Sequence, residues 1–72
     1  MKHRRNRLIK CRQEAGLSQK NVADYLGITE RGYKFIEYGD RLGSIEIWDA
    51  LEDLFKVHQR LLRVLDQEES RS

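Results

Sequence analysis

Apolar residues recur along this chain at spacings of three and four, and no stretch alternates in the two-residue period of a strand. Leu8, Cys11 and Ala15 define the inner face of a first helix over about residues 4–15, and Gly16 supplies the expected left-handed stop. Ser18 is placed as the N-cap of a short second helix, Gln19 to Leu26, with Val22, Ala23 and Leu26 facing inward and Gly27 ending it. Thr29 opens a third helix to about Tyr38, with Tyr33 and Ile36 inside. Gly39 and Gly43 bracket a turn. Ser44 then caps a fourth helix whose buried stripe is Ile47, Trp48, Leu51, Leu54 and Phe55. Leu61, Leu62, Val64 and Leu65 supply a fifth, before a charged tail, Asp66–Ser72, that is expected to fray. The pattern predicts an all-α fold: a compact bundle of four to five short helices.

The segment from Gln19 to Ile36 has the steric logic of a helix–turn–helix. A small residue is needed where the first helix crosses under the second, and Ala23 is that residue. Four positions later the chain must reverse with positive φ, which Gly27 tolerates. Val22, Leu26, Ile28, Tyr33 and Ile36 flank the corner and anchor the second helix. Such a unit presents that second helix to the major groove of a duplex.

Composition narrows the class. At 72 residues, without proline, repeats or low-complexity tracts, the chain reads as one module over 1–72, with an ordered core of about 4–66 and the helix–turn–helix at 18–38. A chain this short buries only roughly 60 % of the surface its unfolded form exposes, so its stability margin is thin. The net charge of +2 hides a polarity: residues 1–39 hold nine basic and four acidic groups, residues 40–72 five basic and eight acidic. A basic first half points to a polyanion partner. One cysteine excludes an intrachain disulfide, and no Cys/His grouping has metal-ligand spacing, so neither a metal nor a cofactor is expected. The basic N-terminus lacks a signal peptide's apolar stretch, and no apolar run approaches the roughly 20 residues of a membrane span, which predicts a cytoplasmic protein. No nucleophile–base pair, carboxylate dyad or phosphate-cradling glycine loop is present, so no catalytic residue is assigned.

The run Leu17-Ser18-Gln19, then Ala23, Leu26-Gly27-Ile28-Thr29 and Ile36-Glu37-x-Gly39, resembles in order and spacing the phage-repressor-like, Xre/Cro-type helix-turn-helix regulators, over roughly residues 7–62. The resemblance implies a lambda-repressor-like domain acting on double-stranded DNA. By the same resemblance Gln19 matches a residue that touches phosphate or a base. Thr29, Glu30, Arg31, Lys34 and Phe35 match the exposed face of the recognition helix, and Arg12 and Glu37 match a buried ion pair joining the first helix to the end of the third. Arg41 is placed like family residues on the flanking phosphates, and Lys20 completes the candidate interface. The chain departs from the pattern at Tyr33, where a β-branched residue is usual, and at Gly32 and Phe35, where polar residues are. It departs again at Lys56 and His58, where a glycine and a capping serine are common.

Several residues admit a plain reading beside the sharp one. Arg31 either forks onto guanine O6 and N7 or only touches phosphate. Glu30 either accepts from a cytosine amino group or merely favours the positive end of its helix. Phe35 either meets a thymine methyl or tucks against Tyr38 and the loop, and Lys34 reads as a phosphate contact. Lys2, Arg4, Arg5, Arg7 and Lys10 either neutralise phosphates or form a solvated helix start. Cys11, on an apolar face, reads as a small hydrophobe rather than a redox or nucleophilic thiol, and His58 has no second ligand beside it. Trp48 reads as core, with a dimer seam as its alternative. Asp49, Glu52 and Asp53, on the outer face of the fourth helix, either confer solubility or hold a second protein.

The expectation is a sequence-specific DNA-binding transcriptional regulator with residues 29–38 in the major groove. Leu61, Leu62 and Leu65 offer more apolar surface than so thin a core requires, which points to a homodimer through helices 4 and 5 on a near-palindromic operator. The rival is an antitoxin-like or adaptor module of the same fold, gripping a protein through its acidic second half.

Overall fold

The computed structural model describes residues 3–67: strand β1 (His3–Arg4), helices α1 (Asn6–Glu14), α2 (Gln19–Leu26), α3 (Glu30–Glu37), α4 (Ile45–Phe55) and α5 (Gln59–Leu62), and strand β2 (Asp66–Gln67). The fold is all-α. The two strands are a two-residue antiparallel clasp, His3 opposite Gln67 and Arg4 opposite Asp66, that ties the ends of the described chain together. Periodicity gave no sign of this clasp, because two residues are too few to alternate. Of the tail expected to fray, Asp66 and Gln67 pair in this way, and residues 68–72 lie outside the described residues.

Each helix starts and stops on local chemistry. Ser18 accepts from the Asn21 amide while the Asn21 side chain accepts from the Ser18 amide, a reciprocal capping box. Thr29 caps α3 through the Gly32 amide, and Ser44 caps α4 through the Ile47 amide. At the α2–α3 corner Gly27 has φ 75°, a backbone state costly for any residue with a Cβ. At the α4–α5 junction the two departures take over the usual roles. Lys56 itself adopts the left-handed state with φ 60°, and the His58 Nδ1 caps α5 by accepting from the Arg60 amide at 3.0 Å.

Leu8, Val22, Ala23, Tyr33, Ile36, Trp48, Leu51 and Leu62, drawn from all five helices, form the buried core. Ala23 has no exposed surface, as the helix crossing requires. Three expectations change. Ala15 is the exposed cap of α1 and not part of its inner face, and α1 begins at Asn6 because Arg5 lies outside helical geometry. The fifth helix is a single turn that spends Leu62 on the core and leaves Leu61, Val64 and Leu65 exposed. Trp48 is also core, with its indole N–H donated to the Leu42 carbonyl at 2.6 Å, so neither Trp48 nor Leu62 can serve a dimer seam.

Arg5 is the least expected member of the interior. It is 3 % exposed and makes no contact of the solvated kind a basic N-terminus suggests. Its backbone N–H donates to the Glu37 carbonyl at 2.9 Å. Its guanidinium donates to the carbonyls of Ile36 (2.6 Å), Arg41 (2.9 Å) and Arg63 (3.0 Å) and lies 5.2 Å from the centre of the Trp48 ring. The Gly39 amide also donates to Ile36, and the Asp40 amide to Phe35, a Schellman closure. With Tyr38 on Lys34, all four last carbonyls of α3 have donors, two of them from Arg5, and a cation sits at the helix's negative end.

The two left-handed positions predict opposite effects. An added Cβ at Gly27 meets no atom within 4 Å, so Gly27→Ala is expected to lose about 1–2 kcal/mol through backbone strain alone. Lys56→Gly should gain up to about 1 kcal/mol. Urea midpoints at unchanged m-value measure both, and equal signs would contradict this reading of the corners.

Candidate nucleic-acid interface

α3 carries Tyr33, Ile36 and Glu37 on its buried side and Glu30, Arg31, Lys34 and Phe35 outward. Eight residues make a helix too short to persist alone in water, so its position depends on its anchors. The polar anchor is Glu37, whose carboxylate has no exposed surface. Arg12 from α1 donates to it through Nε at 2.5 Å and Nη2 at 3.4 Å, and Gln19 from α2 donates through Nε2 at 2.9 Å. Arg12 spends a further N–H on the Leu17 carbonyl at 3.0 Å, joining the α1–α2 turn to the same cluster. One carboxylate thus ties three helices. The Gln19 amide nitrogen is committed to this interior pair, and only its carbonyl oxygen faces other duties.

On the outward side the surface is basic and aromatic. The Arg31 guanidinium lies 5.8 Å from the centre of the Phe35 ring, and Arg41, arriving from the next turn, lies 5.4 Å from the same ring. Arg4 lies 5.3 Å from the Tyr38 ring. Phe35 is half-buried, and the arginine contacts leave it neither free to roam nor folded into the core. Arg4, one of the N-terminal basic residues weighed for phosphate contact, and Tyr38, which sequence does not assign to the interface, extend the ridge. Arg31–Phe35 at i,i+4 was open to reading from spacing, whereas the Arg4 and Arg41 contacts come from distant segments. Lys34 sits 3.8 Å from Glu30, and Lys20 sits 3.4 Å from Asp24, both exposed i,i+4 pairs. Such pairs contribute well under about 1 kcal/mol, so a phosphate can replace either carboxylate. A Cβ at Gly32 would stand 3.1 Å from the Thr29 hydroxyl oxygen that receives the Gly32 amide, but Asn21 and Ile47 carry a Cβ at the same position under Ser18 and Ser44, so nothing in the cap calls for a glycine.

The basic cluster at the N-terminus is divided. Arg5 is withdrawn into the interior, Lys2 lies outside the described residues, and Arg4 joins the α3 ridge. Arg7 and Lys10 line a shallow groove with Leu61 and Val64, on the α5 side of the molecule. On the outer face of α4, Asp49 and Glu52 accept from the Gln59 side chain at 2.7 and 3.1 Å, which clips α5 to α4. Cys11 is half-buried, and burial, helped by Glu14, pushes its thiol pKa up, which leaves it a poor nucleophile. Among the described residues no group of three His, Cys, Asp or Glu is placed to hold a metal. No helix among them is long and apolar enough to cross a membrane.

The Tyr33 hydroxyl is buried close enough to Glu37 and Arg12 for both to act on its charge, but neither meets it in hydrogen-bonding geometry. Burial first, and then the Glu37 carboxylate, push its pKa up. An unfolded tyrosine titrates near pH 10, so the folded state favours the neutral phenol; that stability is whole below about pH 10 and is lost as pH climbs towards the folded pKa. Tyr33→Phe is therefore expected to be neutral or stabilising at pH 7 and to flatten the alkaline fall in the urea midpoint. A loss above about 1 kcal/mol at pH 7 would mean that the hydroxyl is bonded after all.

The sequence pattern of the helix-turn-helix family matches residues 8–58, which run from within α1 past the end of α4. The chain is also 54 % identical over 51 residues to the SPbeta prophage-derived uncharacterized HTH-type transcriptional regulator YonR of Bacillus subtilis (strain 168). That alignment covers 71 % of this chain and 47 % of the relative, so the chain spans about half the relative's length. No solved structure gives a significant match. Pattern, spacing and the α2–α3 corner agree: the chain belongs to the helix-turn-helix family of Xre-type, phage-repressor-like transcriptional regulators.

Proposed function

We propose that this chain is a sequence-specific DNA-binding module of a transcriptional regulator, with α3 entering the major groove. One observation carries the reading: a short helix anchored from behind by Glu37 and Arg5 turns outward a ridge on which two guanidiniums share one aromatic ring. Arg31 reads base edges, since its fork fits guanine O6 and N7. Glu30 and Phe35 flank it as the further base-facing groups, while Thr29, Lys20, Lys34, Arg41 and the Gln19 end of α2 set the register on phosphates. The prophage-derived relative, named as an HTH-type transcriptional regulator, supports the same role.

A single module with so few readers selects poorly. Two copies joined through the α4–α5 side, on half-sites about 34 Å apart, would supply the missing selectivity and imply a near-palindromic operator. Exposed Leu61, Val64 and Leu65 are the apolar surface that supports this side.

Binding to a random-sequence duplex at rising salt tests the reading. Each neutralised phosphate adds about 0.9 to the slope of log K against log salt, so a slope of several units is expected. On a duplex selected from a random pool, Arg31→Ala should cost about 1–3 kcal/mol and relax preference at one base pair. A flat salt dependence with an unchanged preference would instead favour a protein-gripping module.

A further inference from the structure

We infer that Arg5 is a positioning residue of the duplex-facing surface: from beneath the α3–α4 turn it holds the backbone that carries Arg41 and so keeps Arg41 on the Phe35 ring beside Arg31. The inference rests on the reading of α3 as the duplex-facing helix and goes beyond it, since Arg5 itself cannot reach a duplex from a 3 % exposed site.

A buried guanidinium ordinarily faces a carboxylate. This one faces carbonyls from three segments and an indole ring. Two of those carbonyls bracket the reading surface. Ile36 follows Phe35 directly, and the Arg41 carbonyl belongs to the very residue whose side chain returns to the Phe35 ring. Arg41 is exposed, and so is Leu42 beside it. Other ties on the turn include the Gly39 amide on the Ile36 carbonyl at 3.3 Å, the Asp40 and Arg41 amides on the Phe35 carbonyl at 2.9 and 3.2 Å, and the Trp48 indole on the Leu42 carbonyl. Those bonds fix the amide side of Arg41, and the planar fork of Arg5 is the donor on its carbonyl, so the two together set the direction in which the Arg41 side chain leaves the backbone. The third bond, to Arg63 past the end of α5, ties the same guanidinium to the segment that follows α5.

The test compares the wild type with Arg5→Met, Arg41→Ala and the double variant, with Val22→Ala as a core change that destabilises without touching the turn. In the free protein, backbone order parameters for residues 39–43 should fall from rigid values near 0.85 towards about 0.6 in Arg5→Met and stay high in Val22→Ala. On duplex, Arg41→Ala should lower the salt slope by about 0.9, Arg5→Met by a similar amount, and the double variant by no more than Arg41→Ala alone. Should Arg5→Met not fold, Arg5→Lys carries the same comparison, because a compact ammonium replaces the fork. A rigid turn and unchanged slope in the Arg5 variant, alongside a lowered slope in Arg41→Ala, overturn this inference and leave the duplex reading standing. A wild-type slope near zero overturns both.

Discussion

The carboxyl end of α3 is the point on which the rest of the molecule depends. Helix ends leave four carbonyls without intrahelical donors, and an eight-residue helix has too few internal bonds to absorb that loss. Here the deficit is met from outside: Arg5 supplies two donors, and the glycine turn supplies the others. In the same turn the Glu37 carboxylate, fully buried, draws Arg12 and Gln19 onto it. A lone buried carboxylate would cost several kcal/mol, so the three donors and the helix that carries Glu37 stand or fall together. The outward ridge of α3 inherits its rigidity from these inward contacts.

That arrangement separates the molecule into two ends with different chemistry. The α3 side is basic and aromatic, with arginines lying on ring faces where a weakly hydrated cation is favoured. The α4 side is acidic, and part of that acidity has an internal use, because Asp49 and Glu52 receive Gln59 and secure the single turn of α5. Repulsion of a polyanion by the α4 side and attraction by the α3 side would orient an encounter before any base is touched.

Local signals were legible in the sequence and long-range ones were not. The serine and threonine caps and the Gly27 corner each depend on residues at most three or four apart, so composition and spacing disclosed them. The core stripe of Val22, Ala23, Tyr33, Ile36, Trp48 and Leu51 follows from helical periodicity for the same reason. Arg5 was hidden because its partners are 31, 36 and 58 positions away and because a basic N-terminal run reads as solvated. The β1–β2 clasp was hidden for a similar reason. The positive φ of Lys56 was hidden because nothing in a lysine announces it. In the candidate interface, the Arg31–Phe35 pairing was within reach of the i,i+4 rule, while Arg41 on the same ring depends on the turn that Arg5 holds.

The most direct measurement is an amide-resonance titration of the labelled protein with a short duplex at low salt. A rigid outward α3 predicts that shifts concentrate on Thr29 to Phe35 and on the turn to Arg41, with Asp49, Asp53 and Gln59 still. Shifts gathered on α4 and α5 with α3 unmoved would contradict it.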